Sequence, residues 1–347
     1  MNYTEIEHTG VKIPPIIFGT SALGNLYREL DEETKLEIVK ECLQNMKGPA
    51  VFDSAGKYGA GLALEKLGEK LKQLKASPES IVISNKLGWL RTPLTTSEPD
   101  FEKGVWMNIG NNAELSISYE GIMECWEQGN ELLGGTYKPQ LLSVHDPDEY
   151  LESSVDESER KIRFGNILEA YRALSDLKAD GQIKAIGIGA KNWKVIEEIE
   201  AYVNLDWVMF ANSMTILRHP ADLLNFMQRL ANKSIAIVNS AIFHAGFLTG
   251  GNYFDYVAIK PDTATNKSLF KWRESFFNLC RQFDVPPATV CVNFAMTAPG
   301  VISISLNTSN SARIKDNIES VEAQVPGDFW KEMVNGGLIS SDYPYLK

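Results

Sequence analysis

Cysteine is scarce in this chain of 347 residues: Cys42, Cys125, Cys280 and Cys291 stand far apart, with no CxxC pair among them. That spacing excludes the usual zinc-ribbon and dithiol motifs, so all four are expected to be reduced, buried thiols. Histidine is equally rare, and His8, His145, His219 and His244 show no metal-ligand spacing. HisAspProAspGlu from His145 sets Asp146 and Asp148 close by, but Pro147 favours a turn that ends a strand. No metal is expected. Long hydrophobic runs are missing too, since nothing approaches the roughly 18 apolar residues a membrane span needs. The opening MetAsnTyrThrGluIleGluHis lacks the basic and apolar regions of a secretory leader. The expectation is a cytoplasmic protein. There is no basic excess: Lys and Arg number 34 against 45 Asp and Glu, a formal net charge of -11. Nucleic acid, which needs a basic surface, is therefore not an expected partner.

One further absence narrows the function. No Gly-x-Gly-x-x-Gly follows the first strand, and GlyThrSerAlaLeuGly from Gly19 lacks the lysine of a phosphate-binding P-loop. GlyIleGlyAla at 187–190 comes nearest, but it lacks a third glycine and follows the fifth strand. A Rossmann dinucleotide site is not supported.

What is present is a regular alternation. A hydrophobic fraction of 44% suffices for a large core. Tyr3 to Ile6 and Val11 to Ile13 read as a short hairpin. Eight strand-like segments follow: Ile16–Gly19, Ala50–Asp53, Ile81–Lys86, Gln140–His145, Ile183–Ile188, Trp207–Asn212, Ser234–Asn239 and Val301–Leu306. Between them, Leu64, Leu67, Leu71 and Leu74 share a helical face, as do Ile167, Tyr171, Leu174 and Leu177, and Val195, Ile199 and Tyr202. Strands alternating with amphipathic helices argue for parallel βαβ units, and eight of them fit a closed (β/α)₈ TIM barrel. With no break in composition, residues 1–347 are expected to form one domain. Two connections are unusually long. Leu90 to Ser118 contains Trp106, and Phe243 to Asn266 contains Gly250, Gly251, Tyr253, Phe254 and Tyr256. Both follow a strand's carboxyl end, where they would overhang a barrel's active site. Trp89, Trp106 and the Tyr253 to Tyr256 cluster are candidate pocket walls.

Three consecutive strands end on ionisable groups, which a buried parallel strand does not favour. Asp53 closes one, Lys86 the next and His145 the third, while Tyr58 lies five residues past Asp53. A tyrosine is a poor acid or base near neutrality, because its ordinary pKa is about 10. A neighbouring ammonium lowers that value, so Lys86 is expected to bring Tyr58 down, with Asp53 holding Lys86 and His145 bonding to the phenol or to a substrate oxygen. Such a group suits proton transfer at a carbinol or carbonyl oxygen. It needs a hydride partner that side chains cannot provide, so a nicotinamide is implied. Singly, each residue also has a bland reading: a packed tyrosine, a solvated or Schiff-base lysine, a core histidine. Their joint placement favours catalysis. Without Rossmann glycines the cofactor must be held elsewhere. The Leu306 to Asn317 segment provides Thr308 or Ser309 to cap a helix whose first amides attract phosphate, with Arg313 a turn further on.

These residues together resemble the aldo-keto reductase superfamily over nearly the whole chain. The resemblance implies a (β/α)₈ barrel with an amino-terminal hairpin that uses NAD or NADP. It also implies a catalytic tetrad of Asp53, Tyr58, Lys86 and His145. Gly19 and Thr20 look like the first-strand cofactor contact, Asn239, Ser240 and Ile242 like the contact after the seventh strand, and Asn307, Thr308, Ser309, Arg313, Asp316 and Asn317 like the adenosine-binding segment. PheAspSerAlaGlyLysTyrGly from Phe52, SerTyrGluGlyIleMet from Ser118, HisAspProAsp and GlyIleGlyAlaLysAsn resemble the aldose 1-dehydrogenase branch, whose members convert sugars such as L-fucose or L-galactose to lactones. There are departures. Where reductases of the family place Ser and Asn after the fifth strand, Gly189 and Ala190 stand here, and Asn239 stands where an aromatic commonly stacks on the nicotinamide. Asn307 replaces a lysine of many NADP-dependent members, and a charge-assisted contact contributes about 1.5–3 kcal/mol. The balance points to NAD. The expected activity is oxidation of an aldose C1 hydroxyl with Tyr58 as base. The alternatives are a reductase of small aldehydes or ketones, a pyridoxal 4-dehydrogenase, a cofactor-binding regulatory protein, and a Schiff-base lyase using Lys86.

Overall fold

The computed structural model describes residues 1–346. Eight parallel strands close into a barrel: β3 (Ile16–Gly19), β4 (Ala50–Ala55), β5 (Ile81–Leu87), β8 (Leu141–His145), β9 (Ala185–Ala190), β10 (Trp207–Ala211), β11 (Ala236–Ser240) and β14 (Val301–Asn307), which pairs back to β3. All eight expected strands are present, each shifted by no more than two residues. Three antiparallel ribbons decorate the barrel. They pair β1 (Thr4–Ile6) with β2 (Val11–Ile13), β6 (Trp89–Pro93) with β7 (Asn111–Leu115), and β12 (Tyr253–Phe254) with β13 (Val257–Ala258).

Side chains alternate along each strand, which divides the core into an interior and an outer layer. Ile17, Val51, Leu141, Ala185, Trp207, Met209 and Val238 pack inside the barrel, and Ile6 and Ile13 of the hairpin join them. The hairpin thus plugs the amino-terminal end. Outward residues meet helices α1 (Glu32–Gln44), α2 (Leu62–Gln73), α3 (Tyr119–Leu132), α4 (Pro147–Glu152), α5 (Glu157–Ala179), α6 (Trp193–Glu200), α7 (Ala221–Asn232), α8 (Ala264–Gln282), α9 (Pro287–Thr297), α10 (Arg313–Glu322) and α11 (Gly327–Asn335).

Leu64, Leu67 and Leu71 are buried along α2, and Ile167, Tyr171, Leu174 and Leu177 along α5, as their spacing requires. The third face is corrected. Val195 and Ile199 are buried, but α6 stops at Glu200 and leaves Tyr202 67% exposed. Residues 90–118 carry the β6–β7 ribbon, and the loop between its strands packs Phe101, Trp106 and Ile109 against Ala60. Residues 243–266 carry the small β12–β13 ribbon before α8 begins at Ala264.

The GlyIleGlyAla run owes its glycines to size. A β-carbon on Gly187 would lie 2.2 Å from the Trp207 indole, and one on Gly189 would lie 3.3 Å from Lys86 Cδ. Both face the barrel interior, one making room for a core aromatic and the other for a site residue.

Candidate active site

Register places the ionisable residues together. Asp53 pairs across β4 and β5 with Ser84, Lys86 across β5 and β8 with Ser143, and His145 across β8 and β9 with Gly189. Asp53, Lys86 and His145 face inward at the carboxyl-terminal end, and each is no more than 5% exposed. Lys86 Nζ donates to Asp53 Oδ2. The other oxygen, Oδ1, accepts from Ser84 Oγ at 3.0 Å. The Lys86 ammonium stands 4.8 Å from the centroid of the Tyr58 ring, over its face. His145 meets Tyr58 edge-on from another side, and Trp106 closes a third at 5.8 Å. All four residues of the expected constellation therefore converge.

The electrostatics depart from expectation. The Tyr58 phenol is pushed well above its ordinary value, first by burial and then by the carboxylates of Asp53 and Asp146, with Lys57 opposing. A lowered value had been expected from Lys86. Its charge is instead neutralised at contact by Asp53, so little of it reaches the phenol oxygen. Burial holds His145 well below the usual histidine value; Asp146 opposes this while Lys86 and Lys57 reinforce it, and the ring is neutral near pH 7.

A second charged cluster adjoins the first. Lys57, only 3% exposed, donates from Nζ to Asp146 Oδ2 at 3.0 Å and to Glu149 Oε2 at 2.9 Å, and lies 3.0 Å from Glu102 Oε1. Lys191 pairs with Glu149. Asp148, weighed above beside Asp146, accepts from the backbone amides of Lys191 and Asn192 at the start of α6.

A cavity of about 1320 Å³ opens above the constellation. Its wall includes Tyr58, Lys86 and His145, and extends past Gly19, Ser240 and Ile242 to Asn307, Thr308, Ser309, Arg313, Asp316 and Asn317. Two expected contacts are corrected. Thr20 does not line the cavity, because its hydroxyl donates to the Asp53 carbonyl at 3.0 Å. Asn239 is fully buried on the outward side of β11, donating to the carbonyls of Met214 and Ala295. Alternation explains it, since Val238 and Ser240 are the flanking positions and only Ser240 reaches the wall. The expected helix cap also moves. Helix α10 starts at Arg313, and Asn310 Oδ1 takes the Ala312 amide, while Thr308 Oγ1 takes that of Asn310.

Of the candidate pocket walls, Trp106 and Tyr256 line the cavity. Trp89 packs on Phe101, and Tyr253 stacks on Tyr27 at 5.2 Å. Asn212 was missed. It sits one residue past β10, 5% exposed and on the cavity wall, and its Oδ1 has no hydrogen-bond partner. A buried acceptor facing a cavity fits an amide donor such as a nicotinamide carboxamide. Ser84 and Lys57 were missed as well.

The sequence profile described as Aldo/keto reductase family matches residues 15–335. The chain belongs to the aldo/keto reductase family. Its fold and relatives accordingly make it an NAD(P)-dependent oxidoreductase. It is similar to pyridoxal 4-dehydrogenase of Microbacterium luteolum, with 28% identity covering 96% of each chain. Against D-threo-aldose 1-dehydrogenase of a Pseudomonas species, identity is 26% over 95% of this chain and 96% of the other. Among solved structures, a glycerol dehydrogenase from Gluconobacter oxydans superposes with a TM-score of 0.70 at 15% identity, covering 99% of each chain. A holo aldo-keto reductase from Bacillus halodurans gives 0.69 at 18% identity, over 98% of this chain and 97% of that one. These likenesses support the fold. No helix among the described residues is long and apolar enough to cross a membrane.

Proposed function

We propose that the chain, acting as one catalytic unit, oxidises the C1 hydroxyl of a cyclic hemiacetal, most simply an aldose, to its lactone. The observation that carries this reading is the convergence of Asp53, Tyr58, Lys86 and His145 beneath a cavity of about 1320 Å³ whose wall continues to Arg313 and Asn317. The two relatives described above are named for pyridoxal and for an aldose. Both compounds carry an aldehyde and a hydroxyl that cyclise to a hemiacetal, so one reaction covers both names.

In this reading Tyr58 Oη exchanges the proton of the reacting hydroxyl. Asp53 with Ser84 fixes Lys86, and the Lys86 ammonium, its charge largely matched by Asp53, holds the Tyr58 ring in place from its face. Neutral His145 orients the substrate oxygen. Asn212, Ser240, Gly19 and Ile242 would hold the nicotinamide half, and Asn307 to Asn317 the adenosine half. When bound, the dinucleotide supplies the hydride acceptor.

For the coenzyme our reading is NAD. Asn307 is neutral, Asp316 and Glu319 share the far end of the cavity with Arg313, and Arg28 is committed to the Ser309 carbonyl at 2.6 Å. An acidic residue near a ribose favours its 2′-hydroxyl over a 2′-phosphate. NADP is the rival, because Arg28 and Arg313 also line one small polar hollow.

The deciding experiment assays L-fucose, L-galactose and pyridoxal with NAD⁺ and NADP⁺ separately, lactone being trapped as hydroxamate, and a panel of small aldehydes and ketones with NADH and NADPH separately. Lactone formation from a sugar with NAD is expected. Turnover confined to NADPH and simple carbonyls would replace this reading with that of a carbonyl reductase.

A further inference from the structure

We propose that the carboxylate of Asp146, clamped by Lys57, receives a substrate hydroxyl beside the reacting carbon, and that the site therefore selects uncharged polyhydroxy compounds. This rests on the hemiacetal reading of the same site. Asp146 follows His145 directly and adopts a left-handed backbone conformation, φ 47°, ψ 51°. Aspartate tolerates that region better than most residues. Its amide donates to the Gly189 carbonyl at 2.9 Å. This bend lays the carboxylate alongside the imidazole, with Oδ2 3.6 Å from His145 Nε2. Asp146 also lines the same cavity as Tyr58 and His145.

A carboxylate that is 8% exposed needs a compensating charge, and Lys57 provides it. An ammonium has three hydrogens, and Lys57 has three carboxylate neighbours at 2.9–3.0 Å: Asp146, Glu149 and Glu102. Its donors are spent, so Lys57 is a positioning residue rather than a substrate contact. Asp146 keeps a free acceptor: among the described residues no donor reaches its Oδ1. An ionised carboxylate can only accept, so a substrate that satisfies it must bring an O–H or N–H. Burial alone would raise the Asp146 carboxyl, but the charges of Lys57 and Lys191 and the hydrogen bond from Lys57 hold it well below the usual carboxylate range.

The arrangement also says what the site rejects. Lys57 and Lys191 stand against Asp146, Glu149 and Glu102, a net negative cluster that repels phosphate and carboxylate substituents. Glu102 accepts the Trp106 indole N–H at 2.7 Å. The same cluster thereby fixes an aromatic wall beside Tyr58, suited to the C–H face of a sugar ring. Four separate segments converge here: the turn after β4, the β6–β7 ribbon, the start of α4 and the connection between β9 and α6.

The test compares kcat/KM for L-fucose and its 2-deoxy analogue, and for galactose and galactose 6-phosphate, in wild type, Asp146→Asn and Lys57→Met. Dinucleotide binding and circular dichroism report integrity. Wild type should prefer each unmodified sugar by about 10- to 100-fold, the range of a charge-assisted hydrogen bond. Asp146→Asn and Lys57→Met should bring the fucose-to-deoxyfucose ratio near one, through a rise in KM for fucose that the deoxy sugar, lacking the hydroxyl, does not share. A general loss of structure would lower both sugars alike. Turnover of simple carbonyls without any sugar overturns the reading on which the proposal rests. Sugar turnover with a wild-type ratio near one overturns the proposal alone, and needs no variant to do so. An unchanged ratio in a folded Asp146→Asn overturns it equally.

Discussion

The imidazole of His145 meets the phenol ring of Tyr58 edge-on, with centroids 5.5 Å apart and planes at 84°. In the proposed mechanism the ring is neutral, and the hydroxyl of Tyr58 is the group that exchanges a proton with substrate. Positioned acid–base groups contribute about 10²- to 10⁴-fold in rate. Tyr58→Phe should therefore lower kcat by about 10³-fold and leave the dissociation constant for the dinucleotide, measured by fluorescence titration, within a few fold. Because burial and Asp53 hold the phenol above its ordinary value, wild-type oxidation should also accelerate from pH 7 to pH 9.5. A variant that keeps a tenth of the wild-type rate would remove Tyr58 from the chemistry.

The Lys86–Asp53 pair has a stability consequence as well. Asp53 is 2% exposed and its second oxygen is occupied by Ser84. Deleting one member of a buried pair strands the other charge, at a cost of about 3–5 kcal/mol. Lys86→Met should lose stability on that scale in urea denaturation. Adding Asp53→Asn should recover most of it without restoring activity. Equal stability of the single and double variants would mean that Asp53 is not stranded by loss of the lysine.

The barrel was legible because buried parallel strands are continuous apolar runs, and Asp53, Lys86 and His145 were legible because they interrupt those runs at their ends. Asn212 obeys the same rule and was passed over for lack of a charge. Ser84 was silent, since a small polar residue inside a strand reads as filler until a carboxylate faces it. Lys57 was given no role; its burial depends on Glu102 and Glu149, 45 and 92 positions away. No local pattern reports such a partnership. Thr20 and Asn239 failed for another reason: resemblance located the right segment, but which neighbour faces the cavity is fixed by strand alternation and by the first turn's hydrogen bond to Asp53.

The low pKa of His145 fixes the sign of a pH effect. A histidine whose folded value is depressed contributes stability that is present above its unfolded value of about 6.5 and lost as pH falls below it, by up to about 1.4 kcal/mol per pH unit. Wild-type stability should thus fall faster than that of His145→Gln between pH 6.5 and pH 4.5, with the curves parallel above pH 7.5. Urea midpoints measured at unit pH steps check this. Parallel curves throughout would show that His145 protonates in the folded protein as readily as in the unfolded chain.

Gly187 and Gly189 lie two residues apart on β9, and the structure assigns them different duties. A methyl group on Gly187 collides with the Trp207 indole at 2.2 Å inside a packed core, whereas on Gly189 it presses Lys86 Cδ at 3.3 Å. Overpacking a core costs about 1–3 kcal/mol, so Gly187→Ala should lower Tm with kcat little changed in the protein that remains folded. Gly189→Ala should do the reverse. Lys86 must give by a few tenths of an ångström, and since about 1 Å of misplacement can cost 10²-fold in rate, kcat should fall about three- to tenfold with Tm nearly constant. Calorimetry and initial rates on the two variants separate these effects. Equal effects of both substitutions on Tm and on kcat would mean that Lys86 is not held against Gly189 as the 3.3 Å approach of its Cδ implies.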